Sequence, residues 1–277
     1  MRRRLDSELV RRGLAVSRES ARLLVEQGAV LVSGARADKA ARLVAESDPV
    51  VVIDPDPRRF VSRGGHKLEA ALDRFAIDVA GRRCLDAGAS TGGFTDCLLA
   101  RGAREVVAVD VGHGQLDVSL RADPRVDVRE RTNIRSLEPA VVGGGPFDLL
   151  VADLSFISLV TVAPVLTGDL ARRGGDIVVL VKPQFEAGRA EVSRGKGVIR
   201  HPEVRLAALR GVASAFASHG ATIMGVMASP LLGPAGNAEF LLHAQAHAGD
   251  GTSPLSDAVA AALEDAVHDA PDAPGTR

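Results

Sequence analysis

Four short apolar runs, Cys84–Asp86, Glu105–Asp110, Leu149–Asp153 and Ile177–Lys182, are separated by helix-forming stretches, and each ends on a charged residue. Strands alternating with helical segments mark a doubly wound, mostly parallel sheet. Ile177–Val181 is wholly aliphatic, as a strand covered on both faces must be. The pattern further predicts helices from Thr95 and over Glu203–His219, and strands over Ala221–Ala228 and Glu239–Leu242. The last strand of such sheets often runs antiparallel, which would bring its first residue, Glu239, to the edge where the other strands end. The expectation is an α/β, Rossmann-like domain over residues 64–245.

Residues 1–56 read as a separate small α+β unit. Leu5, Leu9 and Val10 share a helical face that Gly13 ends, and Ser17 caps a second helix that Gly28 stops. Apolar strands follow at Ala29–Val32 and Val50–Ile53, with Ser33-Gly34 as a turn, and 57–63 form a linker. Residues 246–277, rich in Ala, Asp, Gly and Pro, are expected to be a loosely held acidic tail with one helix-like stretch, Leu255–Val267.

The net charge of -1 hides a polarity. Residues 1–42 carry ten basic and five acidic side chains, and without the segment from Ala246 onward the chain stands at +4. A basic front attracts polyanions, although a merely solvated basic face explains the charge as well. No aliphatic run approaches a membrane span, and no apolar stretch follows the basic N-terminus, so a cytoplasmic protein is expected. Cys84 and Cys97 form neither a CxxC pair nor part of a metal-ligand cluster, and no metal is expected. With no Trp and no Tyr, a bound nucleic acid should be read mainly by charge and shape.

Leu85-Asp86-Ala87-Gly88-Ala89-Ser90-Thr91-Gly92-Gly93-Phe94-Thr95 leaves a strand and opens a helix, so backbone can approach a ligand closely there. The spacing is not that of a phosphate-gripping P-loop, and Asp86 would repel a pyrophosphate. Asp86 could accept hydrogen bonds from an ammonium group, while Asp110, ending the next strand, is placed for ribose hydroxyls. S-adenosylmethionine carries both features.

Lys67, Asp153, Lys182 and Glu239 are the candidate chemistry. Taken singly, Lys67 reads as a surface lysine, Asp153 as a helix cap and Glu239 as a strand-edge charge. Lys182, ending an apolar strand before Pro183, needs a partner to offset its desolvation.

These motifs resemble known families. Arg4-Leu5-Asp6, Arg12-Gly13-Leu14, Ser17-Arg18, Gly28-Ala29-Val30 and Val32-Ser33-Gly34 are similar to the RNA-binding domain named after ribosomal protein S-four. That resemblance implies RNA contacts from Arg4, Arg11, Arg18, Arg22 and Lys39, with Arg63 beyond. The second half resembles the FtsJ-like ribose 2′-O-methyltransferases, whose Lys-Asp-Lys-Glu tetrad matches Lys67, Asp153, Lys182 and Glu239 in order. Val61-Ser62-Arg63-Gly64, Ala152-Asp153-Leu154-Ser155-Phe156-Ile157-Ser158 and Val181-Lys182-Pro183-Gln184-Phe185-Glu186 are similar to the TlyA family, often labelled haemolysins. The family's Arg-x-Trp-Val linker reads Arg59-Phe60-Val61 here, one residue shorter and without Trp.

The resemblance implies a Rossmann-like class I methyltransferase that acts as a monomer. It implies a donor site of Asp86, Gly88, Ser90, Gly92, Phe94, Asp110, Val111, Asn133 and Asp153. The implied reaction is S-adenosylmethionine-dependent 2′-O-methylation of cytidine in 23S rRNA, and in 16S rRNA as in the larger members. A non-catalytic RNA-binding assembly factor and a membrane-lytic haemolysin are the alternatives.

A ribose hydroxyl must lose its proton as it attacks. Either a lysine of lowered pKa takes it, or the lysines position the hydroxyl and stabilise its charge. Exocyclic-amine methylation would need an Asn-Pro-Pro-Tyr type loop where Asp153-Leu154-Ser155-Phe156 stands, and carbon-5 methylation a cysteine at that edge. His66, His113 and His201 are expected in loops or at the surface.

Overall fold

The computed structural model describes residues 2–15, 18–26, 30–52, 59–188, 191, 193, 195, 197–247 and 255–271. The chain divides into two compact units, Met1–Arg59 and Phe60–Pro271.

In the first unit, β1 (Arg2–Arg4) pairs antiparallel with β4 (Leu43–Ala45), and β2 (Val30–Val32) lies between β3 (Ala35–Arg36) and β5 (Val50–Val52). Ser33 and Gly34 both take positive φ, 52° and 82°, the turn that closes a two-residue hairpin. Helices α1 (Leu5–Arg11) and α2 (Arg18–Glu26) bury Leu5, Leu9, Ala21 and Val25 against Val30, Val32 and Val44. The cap at Ser17, the stop at Gly28, and the predicted Ala29 and Ile53 strand ends lie outside the described residues. Strands β1, β3 and β4 were not expected: β1 and β3 lack an apolar run, and the apolar run of β4, Leu43-Val44-Ala45, is only three residues long.

The second unit is built on a seven-stranded sheet. It comprises β6 (Arg83–Ala87), β7 (Glu105–Val109), β8 (Val126–Arg129), β9 (Phe147–Ala152), β10 (Ala171–Val181), β11 (Thr222–Ala228) and β12 (Phe240–Gln245), in the order β11-β12-β10-β9-β6-β7-β8. β12 alone is antiparallel to its neighbours. Alternate residues face two cores. Leu85, Val107, Leu150 and Val179 point to one, and Cys84, Val106, Leu149 and Val178 to the other.

Helices α3 (Gly64–Arg74), α4 (Gly93–Ala100), α5 (Val118–Arg121), α6 (Leu159–Thr167), α7 (Pro183–Glu186) and α8 (Pro202–Ser218) complete the layers. The sheet is the expected Rossmann-like α/β arrangement. The helix-like stretch expected over Leu255–Val267 is present within a residue or two, but the loose hold expected of it is corrected. Residues 257–268 form α9 (Asp257–His268), opened by Ser256, whose Oγ accepts from Val259 N, and it buries Leu263, Ala266 and Val267 in the main core. Those apolar residues recur at helical spacing inside an acidic composition, so one face packs.

Candidate active site

Chain order places β9 on one side of β6 and β7 on the other, so loops leaving β6 and β9 diverge at a switch point where ligands bind in such sheets. Ala87 and Ala152 are register partners there, and Asp153 N donates to Ala87 O at 3.0 Å. Gly88 follows at φ 85°, and a Cβ on it would lie 2.5 Å from Asp153 O. Only glycine lets the two loops approach this closely. Gly92, at φ 100°, caps α4.

A cavity of about 400 Å³ opens at this point, and its lining includes Arg63, Lys67, Gly88, Ser90, Phe94, Asp153, Lys182 and Glu239. All four tetrad residues therefore meet, in two pairs. Lys67 Nζ lies 2.5 Å from Glu239 Oε2, with side chains only 7% and 1% exposed. Lys182 Nζ lies 2.5 Å from Asp153 Oδ1, off the line of a good hydrogen bond, and donates to Ser155 Oγ at 2.9 Å. Antiparallel β12 brings Glu239 to this edge, as expected. Lys67 departs from the reading of it, taken singly, as a surface lysine. It is buried on α3, whose start at Gly64-Gly65 disguises it as a turn. His66 shares that helix, with its ring set edge-on to Phe60 at 5.0 Å, and is not a surface residue.

Asp86 is the principal correction among the donor-site residues. It is fully buried, takes Thr95 Oγ1 at 2.7 Å and does not line the cavity, because α4 begins directly over the end of β6. Burial, with Asp153 and Asp110 adding repulsion against the Thr95 bond, pushes its carboxyl up to about 7. Its second oxygen accepts no hydrogen bond among the described residues. Asp110 accepts Ser90 N at 2.8 Å and Gly112 N at 2.6 Å, which fixes the loop beside β7. Val111 is exposed, and Asn133 caps a 3-10 turn by accepting from Arg135 N. Gly92, Asp110, Val111 and Asn133 also stand outside the cavity lining. Arg63 both lines the cavity and donates to Leu232 O at 2.6 Å.

The sequence reading overlooked Ser155 and an aromatic pair. Phe156 is 92% exposed, holds φ at 63°, and stands 5.1 Å from the Phe185 ring, which in turn lies 5.9 Å from Lys182 Nζ. A non-glycine residue at positive φ presenting an apolar ring to solvent is strained twice over, a pattern concentrated at functional sites. Periodicity gives no sign of it. Cys84 is inert, since burial drives its thiol up to about 12.

In the first unit Arg4, Arg11, Arg18, Arg22 and Lys39 are all exposed, as expected of a phosphate-facing surface. Three of them are also tied down: Arg4 and Arg18 to Asp6, and Arg11 to Glu8.

A mostly parallel sheet of this order, with its cavity at the switch point, is that of a Rossmann-like methyltransferase. The chain belongs to the FtsJ-like methyltransferase family, whose model matches residues 60–246, and an S4 domain matches residues 3–50. It is 53% identical over 267 residues, 96% of each chain, to the 16S/23S rRNA (cytidine-2′-O)-methyltransferase TlyA of Mycobacterium tuberculosis. It is 39% identical to Hemolysin A of Brachyspira hyodysenteriae, over 87% of this chain and 98% of that one. Among solved structures, a haemolysin-labelled protein from Streptococcus thermophilus superposes with a TM-score of 0.74 at 38% identity, covering 96% of this chain and 94% of the other.

Proposed function

We propose that this chain methylates the ribose 2′-hydroxyl of cytidine in ribosomal RNA, in both 23S and 16S rRNA, with S-adenosylmethionine as donor. The observation that carries the reading is the meeting of two lysine–carboxylate pairs in one cavity beside a glycine cradle. Substrate class and both subunits follow the relative that matches end to end, and the S4 domain supplies a surface for structured RNA. Action on ribosomal RNA in turn implies a cytoplasmic protein.

The cradle fits the donor. Gly88 lets the loops after β6 and β9 close on each other at the cavity wall, Ser90 and Phe94 line the same wall, and Asp110 holds the adjoining loop for a ribose. When bound, S-adenosylmethionine supplies an electrophilic methyl carbon on a sulfonium leaving group. Lys182 gives one N–H to Ser155 and keeps another for an oxygen in the cavity, where it orients the 2′-hydroxyl and stabilises the charge developing on it. The hydroxyl proton passes to the Lys182–Asp153 pair as the oxygen–carbon bond forms. Glu239 holds Lys67 against the opposite wall, so both cations stay fixed within the site. Phe156, beside Ser155, offers a face on which the base of the target nucleotide stacks.

No reading as a thiol-dependent base methyltransferase is compatible with Cys84 inside the sheet. Among the described residues no helix is long and apolar enough to cross a membrane, which leaves a lytic reading without a spanning segment to carry it. Incubating ribosomal subunits with the protein and methyl-labelled donor, then mapping the label, tests the assignment. The label should fall on a cytidine 2′-oxygen, and Lys182→Ala should lower the rate at least a hundredfold at unchanged donor affinity. A methylated base, or full activity in Lys182→Ala, overturns it.

A further inference from the structure

The S4-type unit holds an arrangement that charge alone does not explain. Asp6 and Glu8 stand on α1 with side chains only 1% exposed, and between them they gather arginines from three elements. Asp6 takes Arg4 through Nε at 3.1 Å and Nη2 at 2.8 Å, and Arg18 through Nη2 at 3.1 Å. Glu8 takes Arg11 through Nε at 2.9 Å and Nη2 at 2.7 Å, and Arg12 through Nε at 2.8 Å, with Arg3 at 3.9 Å. Arg12 is used up inside the unit, because it also donates to Asp48 O and Glu46 O at 2.9 Å.

Arg4, Arg11 and Arg18 differ. Their side chains are 46%, 40% and 61% exposed. A guanidinium is planar, so a carboxylate gripping Nε and one Nη, as Asp6 grips Arg4, turns the opposite edge outward, the edge that meets a phosphate through two parallel hydrogen bonds. Glu8 grips Arg11 in the same way, but its outer Nη1 meets the exposed Glu46 carboxylate at 3.2 Å, and Arg18 is held through Nη2 alone. Arginine carries a large rotamer entropy. Holding the side chain before contact removes part of that loss from the binding event.

Resting on the reading that this unit binds ribosomal RNA, we propose that Asp6 and Glu8 are positioning residues. Asp6 presets Arg4 as a phosphate-binding fork and steadies Arg18 through one hydrogen bond, and Glu8 presets Arg11, whose outer Nη1 the exposed Glu46 carboxylate covers until a phosphate takes its place. Five guanidinia face the two carboxylates, and Glu46 adds a third acid at Arg11, so the cluster keeps a net positive charge.

The sign of the effect makes the proposal testable. By charge alone, removing a carboxylate from a polyanion-binding surface tightens binding and steepens its salt dependence. Positioning requires the reverse. We expect Asp6→Asn and Glu8→Gln each to weaken binding to purified large ribosomal subunits about tenfold at fixed salt, with Asp6→Glu restoring affinity. Hydrogen exchange of β2 read alongside should show its protection retained. Unchanged or tighter binding in either variant overturns the proposal, and so does weakened binding with β2 protection lost, which would make the carboxylates folding groups only. Arg18→Ala separates the two levels. If it also leaves affinity unchanged, the RNA-binding reading of the unit fails. If it weakens binding while Asp6→Asn does not, positioning alone falls.

Discussion

Asp86 shows how one buried carboxyl couples the donor loop to pH. Its folded-state value of about 7 lies well above the ordinary carboxylate range. Between about pH 4 and pH 7 the folded protein therefore keeps a proton that the unfolded chain has released. Stability from this group falls as pH rises through that window and is level above it. The scale is up to about 4 kcal/mol for a group moved this far. Asp86→Asn keeps the shape and an acceptor for Thr95 but cannot ionise. Denaturant midpoints at pH 5 and pH 8 should show the wild type losing clearly more stability on the alkaline side than the variant. Equal losses would show that the carboxyl does not titrate in this range. The position of Asp86 before the glycines is plain in the sequence, but its burial is not, because it depends on α4 starting directly above the strand end.

Elements whose residues are covered on both faces were the legible ones. β6, β7, β9 and the second half of β10 are apolar runs and fall within a residue or two of their expected bounds, with Phe147 and Asp148 added ahead of β9. Elements with mixed environments were legible only in part: β11 and α8 were expected within a residue of their bounds, others were not. β8, Val126-Asp127-Val128-Arg129, is a half-exposed edge strand, β10 begins in Arg172-Arg173-Gly174-Gly175, and α6 is apolar nearly all round with Pro164 inside. The strand ends that carry Asp153 and Lys182 were therefore readable, whereas the pairing of Lys67 with Glu239 was not. Neither was the clamp between the two loops. Glu186 on α7 accepts Ser158 Oγ at 2.5 Å and Leu159 N at 2.8 Å, binding the segment after Lys182 to the start of α6. Burial raises its pKa against those bonds, so its carboxylate is held there under strain. Glu186→Ala should cost about 1–2 kcal/mol of stability by leaving Ser158 Oγ and Leu159 N without their acceptor, while Ser158 still caps α6 through Val160 N. Its kcat should fall while donor affinity holds, because the loops carrying Asp153 and Lys182 loosen together. Single-turnover rates alongside donor titration would detect this, and an unchanged rate would show that the clamp serves stability alone.

For the whole molecule, composition misleads most at the C-terminal end. The chain after Ala246 is acidic and low in large apolar residues, which reads as a solvated tail, yet α9 belongs to the fold of the catalytic unit. Leu263 is fully buried, Val267 is 8% exposed, and Leu255 and Val259 pack against the same core. The face they cover includes Ile223 on β11, the edge strand next to β12, and β12 follows directly on Glu239. Burying a Leu or Val side chain contributes roughly 1.5–3 kcal/mol. Ending the chain after His247 should therefore destabilise the catalytic unit by about 3–5 kcal/mol and raise its tendency to aggregate through the uncovered apolar face. A loosely held tail would leave the denaturant midpoint where it is. Because β12 carries Glu239 to its place opposite Lys67, the truncated protein should also lose methyl transfer at temperatures where donor binding at the β6 loop survives. A truncated protein with full stability and full activity would return α9 to the role of a passive appendage.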